Sequence, residues 1–194
     1  MFYLRWPSDE RVRAALQPLA EARVTHPHEG VARSDLFEAP AGFVLDRYGE
    51  ALGRGEGVFE AACRALMDFG NYPASFTRVV RLEETFAPGT VFGTVAAHFG
   101  FASMNPCRIT SVIDDADAHR FGFCLGTLPG HAAKGEERFL VSTDPRTGEV
   151  RYEVQAISRP AVFLAHLGRP AMRRVQARFR AESCASMQRL AKAG

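Results

Sequence analysis

The chain has 194 residues, of which 46% are hydrophobic and 24% charged, and its formal net charge is +2. These are ordinary globular proportions, and 15 phenylalanines can build a sizeable core, so a disordered chain is excluded. No apolar run approaches about 18 residues, which excludes a transmembrane helix. The charged start of the chain, Met1–Arg13, does not resemble a signal peptide.

The four cysteines are widely spaced, at Cys63, Cys107, Cys124 and Cys184. No close pair suggests a zinc knuckle or a redox motif, so we expect free thiols that behave as small hydrophobes. Unpaired cysteines favour a cytoplasmic location. The segment His26-Pro27-His28-Glu29 is a weak metal-binding signal, and we expect a loop there and neither a metal nor a cofactor.

The first 40 residues read as an appendage. Ser8 is in the position of a helix cap, and Pro18 should end that helix early. From Thr25 to Gly42, prolines and glycines indicate a long loop. We therefore expect residues 1–40 to form a helical extension and loop, and residues 41–194 to form the main domain.

The main domain is predicted to begin with a strand at Phe43–Tyr48, followed by an amphipathic helix from Val58 to Phe69. Turn signals, among them Asn105-Pro106, divide the chain that follows. The expected strands are Phe76–Glu83, Thr90–Phe101, Cys107–Asp114, Arg120–Thr127, Glu137–Thr143 and Val150–Ser158.

Several of these strands alternate polar and apolar residues, as in an antiparallel sheet with one covered face. Beyond Arg159-Pro160 the period becomes helical again, and a long amphipathic helix is predicted over about Ala171 to Ala191. The fold class is therefore α+β: a curved antiparallel sheet of about seven strands wrapped around a long C-terminal helix.

A more specific signal comes from motifs near the end of the sheet. These motifs are Gly126–His131, Gly135–Phe139, Ser158-Arg159-Pro160 and, earlier in the chain, Gly53–Phe59. With them the chain resembles uncharacterised protein family 0548, a bacterial and plant domain of unknown function, over roughly residues 25 to 190. The order of elements is similar to the helix-grip fold of the START-like, birch-pollen-allergen-like superfamily.

The resemblance implies an interior cavity between the sheet and the C-terminal helix, with a small hydrophobic or amphipathic ligand, such as a lipid, as the partner. It brings no established reaction. The chain also departs from the family: Gly30-Val31-Ala32-Arg33 stands where Gly-Ala-Thr-Arg is expected, and Met67-Asp68-Phe69 stands where a Trp is usual. Either change alters the expected pocket.

A polar cluster near these motifs is the best candidate site. Because successive strand residues point to opposite faces, Glu137 shares the inner face with Phe139, and Glu136 and Arg138 share the other. We therefore expect Glu137 at the cavity mouth. Arg159 could pair with either carboxylate or with an anionic ligand. The polar ligand-binding candidates are Thr127, His131, Glu136, Glu137, Arg138 and Arg159.

Aromatic residues at inward positions are the candidate lining of the cavity. The same pattern equally fits a dry, filled core, because an aromatic stripe normally means packing. These candidates are Phe92, Phe99, Phe121, Phe123, Tyr152 and Phe179.

Two other functions stay open. His131 with Glu136 or Glu137 could act as acid and base in a hydrolase or cyclase, although ion pairs that pin a hairpin loop explain the same residues. Residues 169–194 carry a net charge of +6 against −4 for the first 168. This Arg-rich helix could serve as a nucleic-acid or membrane-surface adaptor, but without interleaved aromatics nucleic acid is not the favoured partner. A homodimer stays open.

Overall fold

A computed structural model describes residues 1–35, 38–98, 100–161 and 169–193. Within these ranges the chain forms eight strands and three α-helices. In chain order they are β1 (Phe2–Tyr3), α1 (Asp9–Leu16), β2 (Val44–Arg54), α2 (Glu56–Met67), β3 (Thr77–Arg81), β4 (Val91–His98), β5 (Phe101–Asp115), β6 (Arg120–Thr127), β7 (Ala133–Thr143), β8 (Glu149–Pro160) and α3 (Arg169–Lys192).

The strands form one antiparallel sheet in the order β2-β8-β7-β6-β5-β4-β3, and the short β1 pairs with β5. Irregularities in register follow Ala51 in β2 and Ile109 in β5, and such bulges bend a sheet. Helix α3 packs on the concave side, against β2 and α2. The predicted α+β arrangement, a curved antiparallel sheet around a long C-terminal helix, is confirmed.

The turn predicted at Asn105-Pro106 is wrong, because β5 runs straight through both residues. The chain reverses instead near Gly100, which has a φ of +81°. The Pro106 carbonyl accepts a hydrogen bond from the Leu128 N–H at 3.0 Å, on the side of β6. Since a strand residue's N–H and C=O point the same way, the absent N–H of Pro106 lies on that side too, and no hydrogen bond to β4 is lost.

The N-terminal segment packs on the convex face of the sheet. The Ser8 side chain accepts a hydrogen bond from the Arg11 N–H at 3.3 Å, which confirms the predicted cap, and α1 ends at Leu16, just before Pro18. Val12 and Leu16 are fully buried against this face. Their apolar cluster includes Val80, Val91, Val95, Ala102, Met104 and Leu128.

The concave face carries an aromatic core. The rings of Phe69 and Phe92 lie 4.8 Å apart, and those of Phe123 and Phe139 lie 5.1 Å apart. Tyr152 stacks on Phe139 at 6.5 Å. Helices α2 and α3 cover this cluster, so each face of the sheet has its own apolar layer.

Helix α3 is tied to the concave side by polar contacts as well as by packing. Its Ser183 hydroxyl lies 2.9 Å from the hydroxyl of Tyr152, and both residues are fully buried. Ser186 donates a hydrogen bond to the Gly70 carbonyl at 2.8 Å, and Gln188 donates one to the Ala51 carbonyl at 3.1 Å. Among the described helices, none is long and apolar enough to cross a membrane.

The packing of α1 predicts that the N-terminal segment stabilises the whole sheet. Leu16→Ala should lower the free energy of unfolding by about 2–5 kcal/mol, because it leaves a cavity between α1 and the convex face. Leu4 is 90% exposed, so Leu4→Ala should change it by less than about 0.5 kcal/mol. Urea unfolding followed by circular dichroism measures both. Equal, negligible effects would show that residues 1–19 are not part of the cooperative unit.

Candidate ligand-binding site

The two adjacent glutamates of β7 face opposite sides of the sheet. Glu137 stands opposite Leu125 of β6 and Ala156 of β8, and it shares the concave face with Phe139. Glu136 and Arg138 face the convex side. The predicted alternation is confirmed, and it separates the polar candidates into two groups.

Glu136 holds the N-terminal segment against the convex face. Its carboxylate accepts hydrogen bonds from the N–H groups of Gly30 and Ala32, both at 2.9 Å, and one from the Thr110 hydroxyl at 3.2 Å. The residue is only 2% exposed. A buried carboxylate with three donors is already satisfied, so Glu136 has a structural partner and does not face the concave side.

Arg138 continues the same attachment. Its guanidinium donates to Asp35 at 2.7 Å and to the Arg33 carbonyl at 3.2 Å. Burial alone would raise the pKa of Asp35, but hydrogen bonds from Arg138 and Arg120 outweigh it and leave that pKa below its usual value. Arg138 thus fastens residues 33–35 and lies away from Glu137.

Two more candidates belong to the same structural frame. The hydroxyl of Thr127 lies 2.6 Å from that of Thr25 and accepts a hydrogen bond from the Gly135 N–H at 3.0 Å. The guanidinium of Arg159 lies 4.8 Å from the centre of the Phe43 ring, and its backbone position in β8 faces away from Ala156 and Glu137. No ion pair joins Arg159 to either glutamate in the part of the chain that the structure describes.

His131 is not assembled into an acid–base pair. Its Nδ1 lies 2.9 Å from the Ala133 nitrogen and 3.0 Å from the Ala133 carbonyl oxygen, so this ring nitrogen is engaged by the backbone. Burial lowers the pKa of His131 to about 4. Among the residues described, no carboxylate hydrogen-bonds to this ring, and Glu136 is occupied elsewhere. The structure therefore does not bring together the His131–Glu136 pair expected of a hydrolase or cyclase.

Glu137 lies in a polar row across the concave face. Ala156 pairs with Glu137 on one side and with Asp46 on the other, so the two carboxylates flank an alanine. Neighbouring strands are ~4.8 Å apart, which puts the backbones of the two acids about 10 Å from each other. Glu137 and Ala156 both keep accessible surface, as does Ser158 further along β8. We refer to this partly accessible position above Ala156, between Asp46 and Glu137, as the recess.

The electrostatics of the recess favour a neutral Glu137. Burial raises the pKa of Glu137 to about 8, the charge of Asp46 adds to the rise, and Arg180 opposes it. The Arg180 guanidinium reaches from α3 and lies 3.3 Å from Asp46. Among the side chains that the structure describes, none hydrogen-bonds to the Glu137 carboxyl, and its oxygens are not among the buried atoms that lack a partner. The residue keeps accessible surface, so its carboxyl can meet solvent or a bound molecule.

Sequence reasoning missed two tyrosines close to Glu137, Tyr48 and Tyr72. The Tyr48 hydroxyl is buried and has no hydrogen-bond partner. Asn71, also missed, is fully buried beside the Tyr152 hydroxyl. Burial, followed by the charge of Glu137, raises the pKa of Tyr48, and these effects also act on Tyr72. Tyr48 shares a strand face with Asp46, but only the register of β2 on β8 reveals its nearness to Glu137.

The aromatic candidates divide by exposure. Phe92, Phe123 and Tyr152 have no accessible surface and pack against other rings. Phe121, stacked on Phe86 at 6.2 Å, and Phe179, 5.5 Å from Tyr72, both keep some accessible surface. Phe99 lies outside the described residues.

The thiols and the histidine segment offer little chemistry. All four cysteines are free, as expected, and burial raises the pKa of Cys63 to about 12 and that of Cys124 to about 11. His26 accepts a hydrogen bond from the His28 N–H at 3.2 Å, and both rings pack edge-on against Phe43. Across the described residues, no cluster of three potential ligands is placed to hold a metal ion.

Two arginines of the basic helix are engaged within the molecule. Arg178 pairs with Glu182 at 2.6 Å and lies 4.1 Å from the centre of the Phe76 ring. Arg180 pairs with Asp46. Arg174, Arg189 and Lys192 are exposed. Part of the +6 charge is therefore compensated internally, as expected if acidic residues elsewhere in the chain neutralise the basic face of the helix.

A separate surface cleft of about 420 Å³ is lined by Arg33 and by residues Val112–Asp117. None of the predicted site residues lines it. This cleft is distinct from the recess beside Glu137.

Comparison with known proteins supports the family resemblance. The family model described as "Domain of unknown function (DUF1990)" matches residues 25–186. A UPF0548 protein of Dictyostelium discoideum is 27% identical and covers 96% of this chain and 94% of its own length. The Arabidopsis thaliana UPF0548 protein At2g17695 is 25% identical, with 92% and 93% covered.

Solved structures show the same fold at low sequence identity. Ara h 8.0201 aligns with a TM-score of 0.50 and 12% identity over 79% of this chain and all of its own. TTHA0849 from Thermus thermophilus gives a TM-score of 0.55 at 13% identity, over 77% of this chain and 98% of its own. Both matches support the helix-grip fold, and at this identity they carry no information on function.

The raised pKa of Glu137 predicts that the protein loses folding stability as pH rises. The folded protein binds this proton more tightly than the unfolded chain, so stability should fall as pH rises from about 4.5 to about 8. Glu137→Gln should therefore unfold with a free energy at least about 1 kcal/mol above the wild type at pH 9, and the gain should vanish near pH 4. Glu153→Gln, at an exposed position, is the matched control. Urea unfolding at several pH values measures the difference, and a pH-independent one would contradict the assignment.

Proposed function

The chain belongs to the DUF1990 family, and from that membership and the geometry of the recess we propose that it binds a small hydrophobic or amphipathic molecule between the sheet and α3. The observation that carries the proposal is Glu137: a carboxyl deep on the concave face that keeps accessible surface beside Ala156 and has no hydrogen-bond partner among the described residues. A bound molecule would fill that space and satisfy the carboxyl.

The proposal gives the predicted residues different roles. Glu137 is the polar anchor, and Phe179 contacts the apolar part of the ligand. Phe123 and Tyr152 have no accessible surface and belong to the aromatic core. Phe121 lies further along the sheet, opposite Val141, and has no role in the recess. The remaining polar candidates contact the segment before β2 and the loop that precedes β7. They are Thr127, His131, Glu136, Arg138 and Arg159.

The same proposal covers organisation and location. Residues 41–194 would form the helix-grip domain, and residues 1–40 an extension that covers its convex face. The four free thiols suit a reducing compartment, so we place the protein in the cytoplasm. A lipid is one ligand class that fits an apolar recess with a single polar anchor.

Filling the recess tests the proposal. Ala156→Phe puts a large ring between Asp46 and Glu137 and should weaken binding of the neutral fluorescent probe N-phenyl-1-naphthylamine at least about tenfold. Ala177→Phe makes the same change at an exposed position of α3 and should leave binding as in the wild type. Fluorescence titration measures both, with circular dichroism as the check on folding. Equal probe affinity in the two folded variants would contradict the proposal.

A further inference from the structure

Two acids and a base lie close together at the recess. Asp46 and Glu137 flank Ala156 on one row of the sheet, and Arg180 lies 3.3 Å from Asp46. The charge of Arg180 acts on Glu137 as well. Once Glu137 ionises, these three side chains hold two negative charges and one positive. An anionic ligand would meet a carboxylate, whereas a cationic ligand would neutralise it.

Aromatic rings surround the same position. Phe139 follows Glu137 by two residues on the same face of β7, with Tyr152 stacked on it at 6.5 Å and Tyr72 at 5.8 Å. Tyr72 in turn lies 5.5 Å from Phe179 of α3. The faces of aromatic rings carry partial negative charge and attract cations.

The Tyr48 hydroxyl is a further polar group of this region. It is buried without a hydrogen-bond partner, and the charge of Glu137 acts on it. An ammonium group has three N–H donors, so a carboxylate and a hydroxyl oxygen can both accept from it.

We infer that the ligand of this recess is an amphipathic amine, whose protonated nitrogen binds Glu137 and whose apolar part lies against the aromatic rings. The inference rests on the proposed ligand-binding function and assigns its chemical class. As the amine binds, the Glu137 carboxyl releases its proton to solvent and pairs with the ammonium.

Several other ionisable groups face this site. They lie on every element packed around Glu137 and are Asp46 and Tyr48 of β2, Tyr72 after α2, Cys107 of β5, Tyr152 of β8, and Arg180 and Cys184 of α3. Burial raises the pKa of the tyrosines and of both thiols, so these groups stay neutral at pH 7. Glu137 is thus the group expected to change its charge there.

Three eight-carbon compounds that differ in their head groups test the inference on the full chain. Calorimetric titration at pH 7 should show octylamine binding at least about tenfold more tightly than 1-octanol, with octanoate weakest. Glu137→Gln should reduce the preference for the amine over octanol to within about threefold, whatever its effect on the affinity for octanol itself. Glu153→Gln should preserve the preference, which separates the site from general attraction of cations to an acidic surface.

A measurement on the wild type covers the case in which Glu137→Gln does not fold. Titration in two buffers with different ionisation enthalpies should show release of close to one proton for each octylamine bound, and none for octanol.

The outcomes separate the two proposals. Three results would each show that the amine inference is wrong while ligand binding stands, provided that octanol binds. Octylamine binds no more tightly than octanol, or folded Glu137→Gln keeps the preference for octylamine, or octylamine binding to the wild type releases no proton. If none of the three compounds binds, both fail.

Discussion

The need to cover two apolar faces of one curved sheet is the constraint on which the rest of this structure depends. A single antiparallel sheet of this size cannot bury one face and leave the other to water when both carry apolar side chains. On the concave side, α2 and α3 cover the aromatic core. On the convex side, Val12 and Leu16 of α1 and the strap of residues 19–35 do the same. The sheet is therefore the middle layer of three.

This layering explains why neighbouring glutamates have different chemistry. Glu136 faces a layer of backbone, whose N–H groups satisfy both carboxylate oxygens. Glu137 faces a layer of side chains, and none of those that the structure describes donates a hydrogen bond to it. Burial and the charge of Asp46 therefore raise its pKa and favour the protonated form. Perturbed carboxyls that the fold does not hydrogen-bond occur at functional sites, and on that ground we propose Glu137 as a binding group. Ala156 and Ser158, small residues on the same face, keep accessible surface beside it.

Much of this architecture follows from periodicity. The change from strand to helical period after Arg159-Pro160 predicts α3, and the alternation in residues 136–139 predicts that Glu137 alone of the two acids faces inward. Pairing between distant strands does not follow from local pattern. The nearness of Asp46 and Tyr48 to Glu137 depends on how β2 pairs with β8, and the strand through Asn105-Pro106 depends on where β6 ends. His131 and Arg159 were predicted as site residues because polar groups concentrate at loop ends, but His131 contacts the Ala133 backbone and Arg159 the Phe43 ring.

The most direct test of ligand binding in the recess is native mass spectrometry of the full chain, purified quickly and without detergent. A species heavier than the 21.3 kDa polypeptide by a constant small-molecule mass, lost on denaturation, is the predicted result. The released compound should contain a basic nitrogen and an apolar portion. A bare polypeptide that also fails to take up octanol or octylamine would contradict the account.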